Sequence, residues 1–212
     1  MSYQHMFYGV DLDRLKAIYG SGDEKLLAEV IQKSGEELEG NDGLFEDEIE
    51  AGDCPNSETA LRNIFAGKIE ASEENAALYG YVLKILCEHL GTSIGEDDVA
   101  VVRDHPYQSK LVANGPPLPI PYDSTDFPEI GYLSLQEIPE EIKRIDAAPK
   151  KAKRTFQSAV VLPVLGWMLS FLMKGFKFRQ MDDATTVEDM NAYRNTLQAA
   201  LDKRLAVVSF RH

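Results

Sequence analysis

The sequence predicts an α+β fold in a single domain, residues 1–212, with helices packed on a small mixed or antiparallel sheet that contains both terminal strands. Three observations carry this. Tyr3–Val10 is rich in aromatic and β-branched residues, and Leu205–Phe210 is a similar run at the other end. Between them lie amphipathic helical segments without the regular strand–helix alternation of a parallel sheet. With 212 residues, 44% of them hydrophobic, the chain is long enough to bury one sizeable core.

The first strand ends at Asp11, a residue type that caps helix N-termini, and Leu12–Tyr19 follows with apolar residues at helical spacing, stopped by Gly20-Ser-Gly22. A second helix over 23–31 puts Leu26, Leu27, Val30 and Ile31 on one face. Gly35–Asp53 is strongly acidic and poor in apolar residues, which predicts an excursion at about 35–55, mobile or weakly helical, that stays out of the core. A short helix over 57–65 takes its cap from Asn56 or Ser57 and closes at Gly67.

The clearest element is predicted over 72–90, capped by Ser72 and stopped at Gly91, with a broad apolar stripe through Leu78, Val82, Leu83, Ile85, Leu86 and Leu90. It reads as the central core helix. Val99–Val102 suggests a short strand, and Asn114–Pro121 a stiff extended crossing, because its prolines exclude helix. Asp126–Leu133 leads into another strand, and Pro139 sits in the first turn of a helix through Ile145. Thr186-Val-Glu-Asp189 has the form of a capping box for a helix running to about Arg204.

The formal charge of -13 argues against a general nucleic-acid binder, since phosphate neutralisation needs a basic face. The charge is uneven. Residues 143–179 carry nine bases and one acid, while residues 1–110 carry 23 acids and nine bases. Two widely separated cysteines, Cys54 and Cys87, do not make a disulfide framework, and the chain opens without signal-peptide features, so a cytoplasmic location is expected. The apolar run Ala159–Met173 is fifteen residues long and broken by Pro163 and Gly166, too short for the ~20 residues of a membrane span.

Candidate chemistry is sparse. Acids between Glu36 and Glu50 do not fit a calcium loop, because setting Gly43 as its sixth residue puts Leu38 first and Ile49 twelfth. Cys87 and His89, two apart on a helix, point to different sides, so no metal site is read there. Pro116–Pro119 has PxxP spacing but lacks a nearby base, and fits a rigid loop over the core better than a polyproline ligand. No phosphate-cradling glycine loop or nucleophile-elbow motif occurs, and no cofactor is expected.

Several segments taken together resemble the YfbM-like bacterial domains of unknown function and a neighbouring uncharacterised family. They are Tyr8–Leu15, Ala60–Gly67, Tyr79–Gly91, Asp126–Leu133, Pro139–Lys143 and Tyr193–Phe210. The resemblance implies a small cytoplasmic α+β domain with no catalytic residues to carry over, in families associated with immunity to toxins. The acidic excursion and the apolar run near Trp167 depart from that pattern.

The functional expectation is therefore a non-catalytic binding protein whose acidic face, including Glu46, Asp47, Glu48 and Glu50, docks a basic protein partner such as a toxin or nuclease. The alternative is a small-molecule binder or enzyme with a pocket near residues 105–127, formed by His105, Tyr107, Asp123 and Asp126. A homodimer through apolar surface around Trp167 and Phe171 is a third option.

Overall fold

A computed structural model of the chain describes residues 5–69, 72, 74–95, 111, 114–124, 128–147 and 183–211. The expected strand at 99–102 and the basic and apolar stretch at 150–178 lie outside the described residues.

The two terminal runs pair as anticipated. Strand β1 (His5–Val10) lies antiparallel to β4 (Ala206–Arg211), with His5 opposite Arg211 and Val10 opposite Ala206. Short β2 (Thr92–Ser93) borders β1, and β3 (Glu129–Leu133) borders β4, giving an antiparallel sheet in the order β2-β1-β4-β3.

Because successive strand residues point to opposite faces, the near-continuous apolar runs of β1 and β4 supply both faces of the sheet. Tyr8, Val10, Ile130, Val208 and Phe210 face one core. Phe7, Leu133 and Val207 face another. Each buried side chain of this size stabilises the fold by roughly 1.5–3 kcal/mol, so neither face can be left uncovered.

Among the described residues the first face is covered by six helices: α1 (Leu12–Lys16), α2 (Glu24–Lys33), α3 (Gly35–Leu44), α4 (Glu46–Ala51), α5 (Ser57–Ala66) and α6 (Ala76–Leu90). The general rules for caps hold for α1, α2 and α5. Asp11 accepts from the amides of Asp13 and Arg14, Asp23 from Leu26, and Asn56, rather than Ser57, from Thr59. The long helix α6 is the central core helix, with Leu78, Val82, Leu83, Ile85 and Leu86 all fully buried. It begins four residues later than expected. The Ser72 hydroxyl donates to the Glu74 carboxylate and accepts from the Glu74 amide, and Asn75 occupies the cap position without a side-chain cap bond to the helix.

The second face is covered by α7 (Ile138–Ala147) and α8 (Asp183–Asp202). Fully buried Glu141 accepts from Arg144 Nη1 at 3.0 Å and from the Tyr193 hydroxyl at 3.3 Å, and Asp146 pairs with Arg194 at 2.8 Å. These bonds tie the two helices together. Helix α8 is already under way at Thr186, so the Thr-x-x-Asp pattern marks its interior and not its start.

Two further details fix the sheet. A Cβ at Gly91 would sit 2.5 Å from the Gly9 carbonyl oxygen, so the turn from α6 into β2 can pass β1 only with glycine there. At the opposite edge, the proline-rich crossing at 114–121 is non-helical, as expected. It buries Leu118 and Ile120 and leads to Tyr122, whose hydroxyl donates to the Ile130 carbonyl and accepts from the Ile130 amide. Asn114 donates to the Tyr132 carbonyl at 2.8 Å. Side chains thus satisfy an edge that would otherwise offer itself to another strand.

Candidate functional site

The acidic stretch at 35–53 does not stay out of the core. It folds into α3 and α4, and Leu38 is buried with Phe45 and Ile49 packed beside it. The spacing 38, 45, 49 brings the few apolar residues of the stretch to one side, which suffices to seat two helices on α5 and α6. The acids are left outside.

On that outer side Glu46, Asp47, Glu48 and Glu50 are all exposed, as the sequence anticipated. None of the four has an ion-pair partner among the described residues. No lysine or arginine occurs between Lys33 and Arg62. Beside these acids Leu44 is 65% exposed, a large apolar side chain standing in water. Its exposure had no signal in the sequence, since a leucine in a helix is ordinarily read as core.

The inner side of α3 meets a charged cluster that sequence reasoning missed. Lys84 Nζ lies 2.7 Å from Glu37 Oε1 and 2.8 Å from Glu88 Oε1, and the Tyr8 hydroxyl donates to Glu88 Oε1 at 2.5 Å. Glu37 and Glu88 thus share Lys84 as a common partner. The available signal was Lys84 and Glu88 at i, i+4 within the otherwise apolar α6, where charges need partners.

Burial raises the Glu37 carboxyl above the ordinary carboxylate range, and the neighbouring Glu88 adds to the shift against the pull of Lys84. Burial acts the same way on Glu88, but Lys84, Tyr8 and Glu37 together outweigh it and hold that carboxyl low. Burial acts to lower Lys84, but its two carboxylate partners keep its ammonium charged. The Tyr8 phenol is pushed well above its usual value by burial and then by Glu88. The two carboxyls that share Lys84 are thus pushed in opposite directions, Glu37 up and Glu88 down.

An open depression of about 460 Å³ adjoins this cluster, lined by Lys33, Ser34, Glu36, Glu37, Glu88 and His89. The His89 imidazole, lowered by burial, has Nε2 3.6 Å from Glu29 Oε1. Cys87 is fully buried and burial pushes its thiol far up, so it is an inert core residue. Among the described residues no three His, Cys, Asp or Glu converge on a common point.

Of the alternative pocket, Asp123 lies half-buried just after the proline-rich crossing, while His105, Tyr107 and Asp126 lie outside the described residues. Trp167 and Phe171, invoked for a homodimer, also lie outside them. No helix among the described residues is long and apolar enough to cross a membrane.

Residues 1–171 match the family described as Domain of unknown function (DUF7691), and the chain belongs to that family. The match includes α3, α4 and the Tyr8–Glu37–Lys84–Glu88 cluster. No curated protein and no solved structure matches the chain.

Proposed function

We propose that this DUF7691 chain is a non-catalytic binding protein that docks a basic protein partner on the outer face of α3 and α4. The observation that carries the reading is the group of four exposed, unpaired carboxylates, Glu46, Asp47, Glu48 and Glu50, beside the exposed Leu44. Uncompensated negative charge speeds encounter with a basic surface, and a protruding apolar side chain supplies the short-range anchor that charge alone lacks. A partner of matching chemistry has lysines or arginines ringing a small apolar recess. A toxin or nuclease with a basic active face is such a partner, which would make the role an immunity-type one in the cytoplasm. The resemblance to YfbM-like domains belongs to the same proposal.

The test is capture of partners from the native host at low and high salt, with the wild type and with a variant carrying Glu46→Lys, Asp47→Lys, Glu48→Lys and Glu50→Lys. All four side chains are exposed, so the variant is expected to fold. The reading expects a partner whose association slows about tenfold or more at high salt, where screening shortens to a few ångströms, and which the variant does not retain. Equal retention by the variant, or the absence of any salt-sensitive protein partner, refutes it.

A further inference from the structure

Helix α3 is poorly built to stand by itself. Three of its ten residues are glycine, and Gly40 and Gly43 in its body each cost about 0.8–1 kcal/mol relative to alanine. Ser34 at its N-terminus makes no side-chain cap bond, and its last turn has no basic residue. Leu38 and Asn41 are buried, but Asn41 Nδ2 has no hydrogen-bond partner among the described residues, a cost of about 1–3 kcal/mol. The six-residue α4 that follows buries no residue fully.

What holds the pair down is a small set of polar and aromatic pins. Glu37 meets Lys84, the Asp42 carboxylate accepts the Ser57 amide at 2.7 Å, and Phe45 packs edge-on to Tyr81 with ring centres 5.8 Å apart. Of these, the Lys84 bridge reaches across three elements, since it joins α3 to α6 and, through Glu88, to Tyr8 of β1.

We propose that α3–α4 is a releasable arm, which lifts from α5 and α6 by local unfolding and is latched by the Lys84 bridge to Glu37 and Glu88. The groups facing Glu37 are Lys84 and Glu88 from α6 and Tyr8 from β1. Lys33, Glu36 and His89 line the adjoining depression. On α5, Glu58 and Arg62 pair with each other in solvent.

The direction with pH follows. Glu37, raised on folding, contributes stability below the ordinary carboxylate value and loses it as pH rises through the raised value. Glu88, lowered on folding, contributes above the ordinary value and loses it as pH falls through the lowered one. The latch is tightest in the mildly acidic window between the two. As pH rises past the raised Glu37 value both carboxylates are ionised and repel, and the arm opens more often. Opening would expose Leu38 and Ile49 beside Leu44, adding apolar contact area to the docking face; that link rests on the docking reading, whereas the opening itself does not.

Amide hydrogen exchange on the full chain tests this. After correction for intrinsic rates, amides of α3 are expected to exchange at least about 100-fold faster than those of α5 and α6, and faster at pH 7.5 than at pH 5. Lys84→Met is expected to accelerate α3 and α4 about tenfold or more while sparing α5 and the α7–α8 pair. Glu37→Gln, which keeps the shape of the side chain and removes its titrating carboxyl, is expected to fold and to flatten the pH dependence. Exchange of α3 in step with α6, or a Glu37→Gln chain with wild-type pH dependence, overturns the proposal. Binding of poly-lysine, read separately by its salt dependence, reports on the docking face: its absence with arm opening intact would fault the docking reading alone.

Discussion

A matched pair of glycine substitutions puts the packing of α6 against the sheet to a sharp test. Alanine in place of glycine in a helix interior normally stabilises by about 0.8–1 kcal/mol. At Gly40, a helical position of α3 with nothing within 4 Å of the added Cβ, that gain is expected in full for Gly40→Ala. At Gly80, in the middle of α6, the same Cβ would lie 2.8 Å from Pro128 Cγ, 3.0 Å from Pro128 Cδ and 3.2 Å from Ile130 Cδ1. The proline ring cannot swing aside as a flexible side chain would, and Ile130 is pinned in β3. Overpacking of this kind costs about 1–3 kcal/mol, more than the propensity gain. With a rigid ring as the obstacle the cost belongs in the upper part of that range, so Gly80→Ala is expected to destabilise by up to roughly 2 kcal/mol, while Gly40→Ala stabilises. Guanidinium denaturation of both variants beside the wild type reads the signs directly, as shifts of midpoint at constant slope. In thermal melts each kcal/mol should appear as about 2–4 °C. A Gly80→Ala chain as stable as, or more stable than, wild type would refute the close approach of α6 to the start of β3.

Other outcomes follow from single contacts. Tyr122→Phe removes the hydroxyl that serves both the amide and the carbonyl of Ile130, and is expected to cost about 1–2 kcal/mol and to speed exchange of the Ile130 amide selectively. Glu141→Ala takes away the acceptor for Arg144 and Tyr193 at a fully buried position, with an expected loss of about 3 kcal/mol by denaturant titration, against a smaller loss for Glu141→Gln. Both thiols, Cys54 and Cys87, are buried with their pKa values raised, so neither should react with Ellman's reagent in the native state and both should react in guanidinium. Tyr8→Phe withdraws one of the bonds that hold the Glu88 carboxyl low, and is expected to move its titration, followed by carbon NMR, toward the ordinary carboxylate range.

Much of the fold was legible because its signals are local. Apolar spacing located α2, α5 and α6, the cap at Asp11 and the one at Asn56 or Ser57 marked helix starts, and the two terminal runs announced strands that pair. The misses have local causes too. Ser72 looked like a cap but spends its hydroxyl on Glu74 four residues before α6 begins. The capping-box pattern at Thr186 falls inside α8, which starts at Asp183. The stretch at 35–53 looked too acidic for the core, yet three apolar residues at helical spacing were enough to seat it.

For the candidate site, the sequence by itself determined the charge: nine acids and no lysine or arginine between Glu36 and Asp53 leave a negative surface wherever that segment lies. Only the tertiary structure decided which acids face water and which are latched inward. Tyr8 and Glu88 are 80 residues apart, and Glu37 and Lys84 are 47 apart. Periodicity and capping act within about one helical turn, whereas such pairs meet only after the sheet and the helices on its first face have packed. The same distinction governs the sheet. The apolar run Ala206–Phe210 foretold a buried strand, but its place between β1 and β3, with helices on both faces, comes from burying two sets of alternating side chains at once.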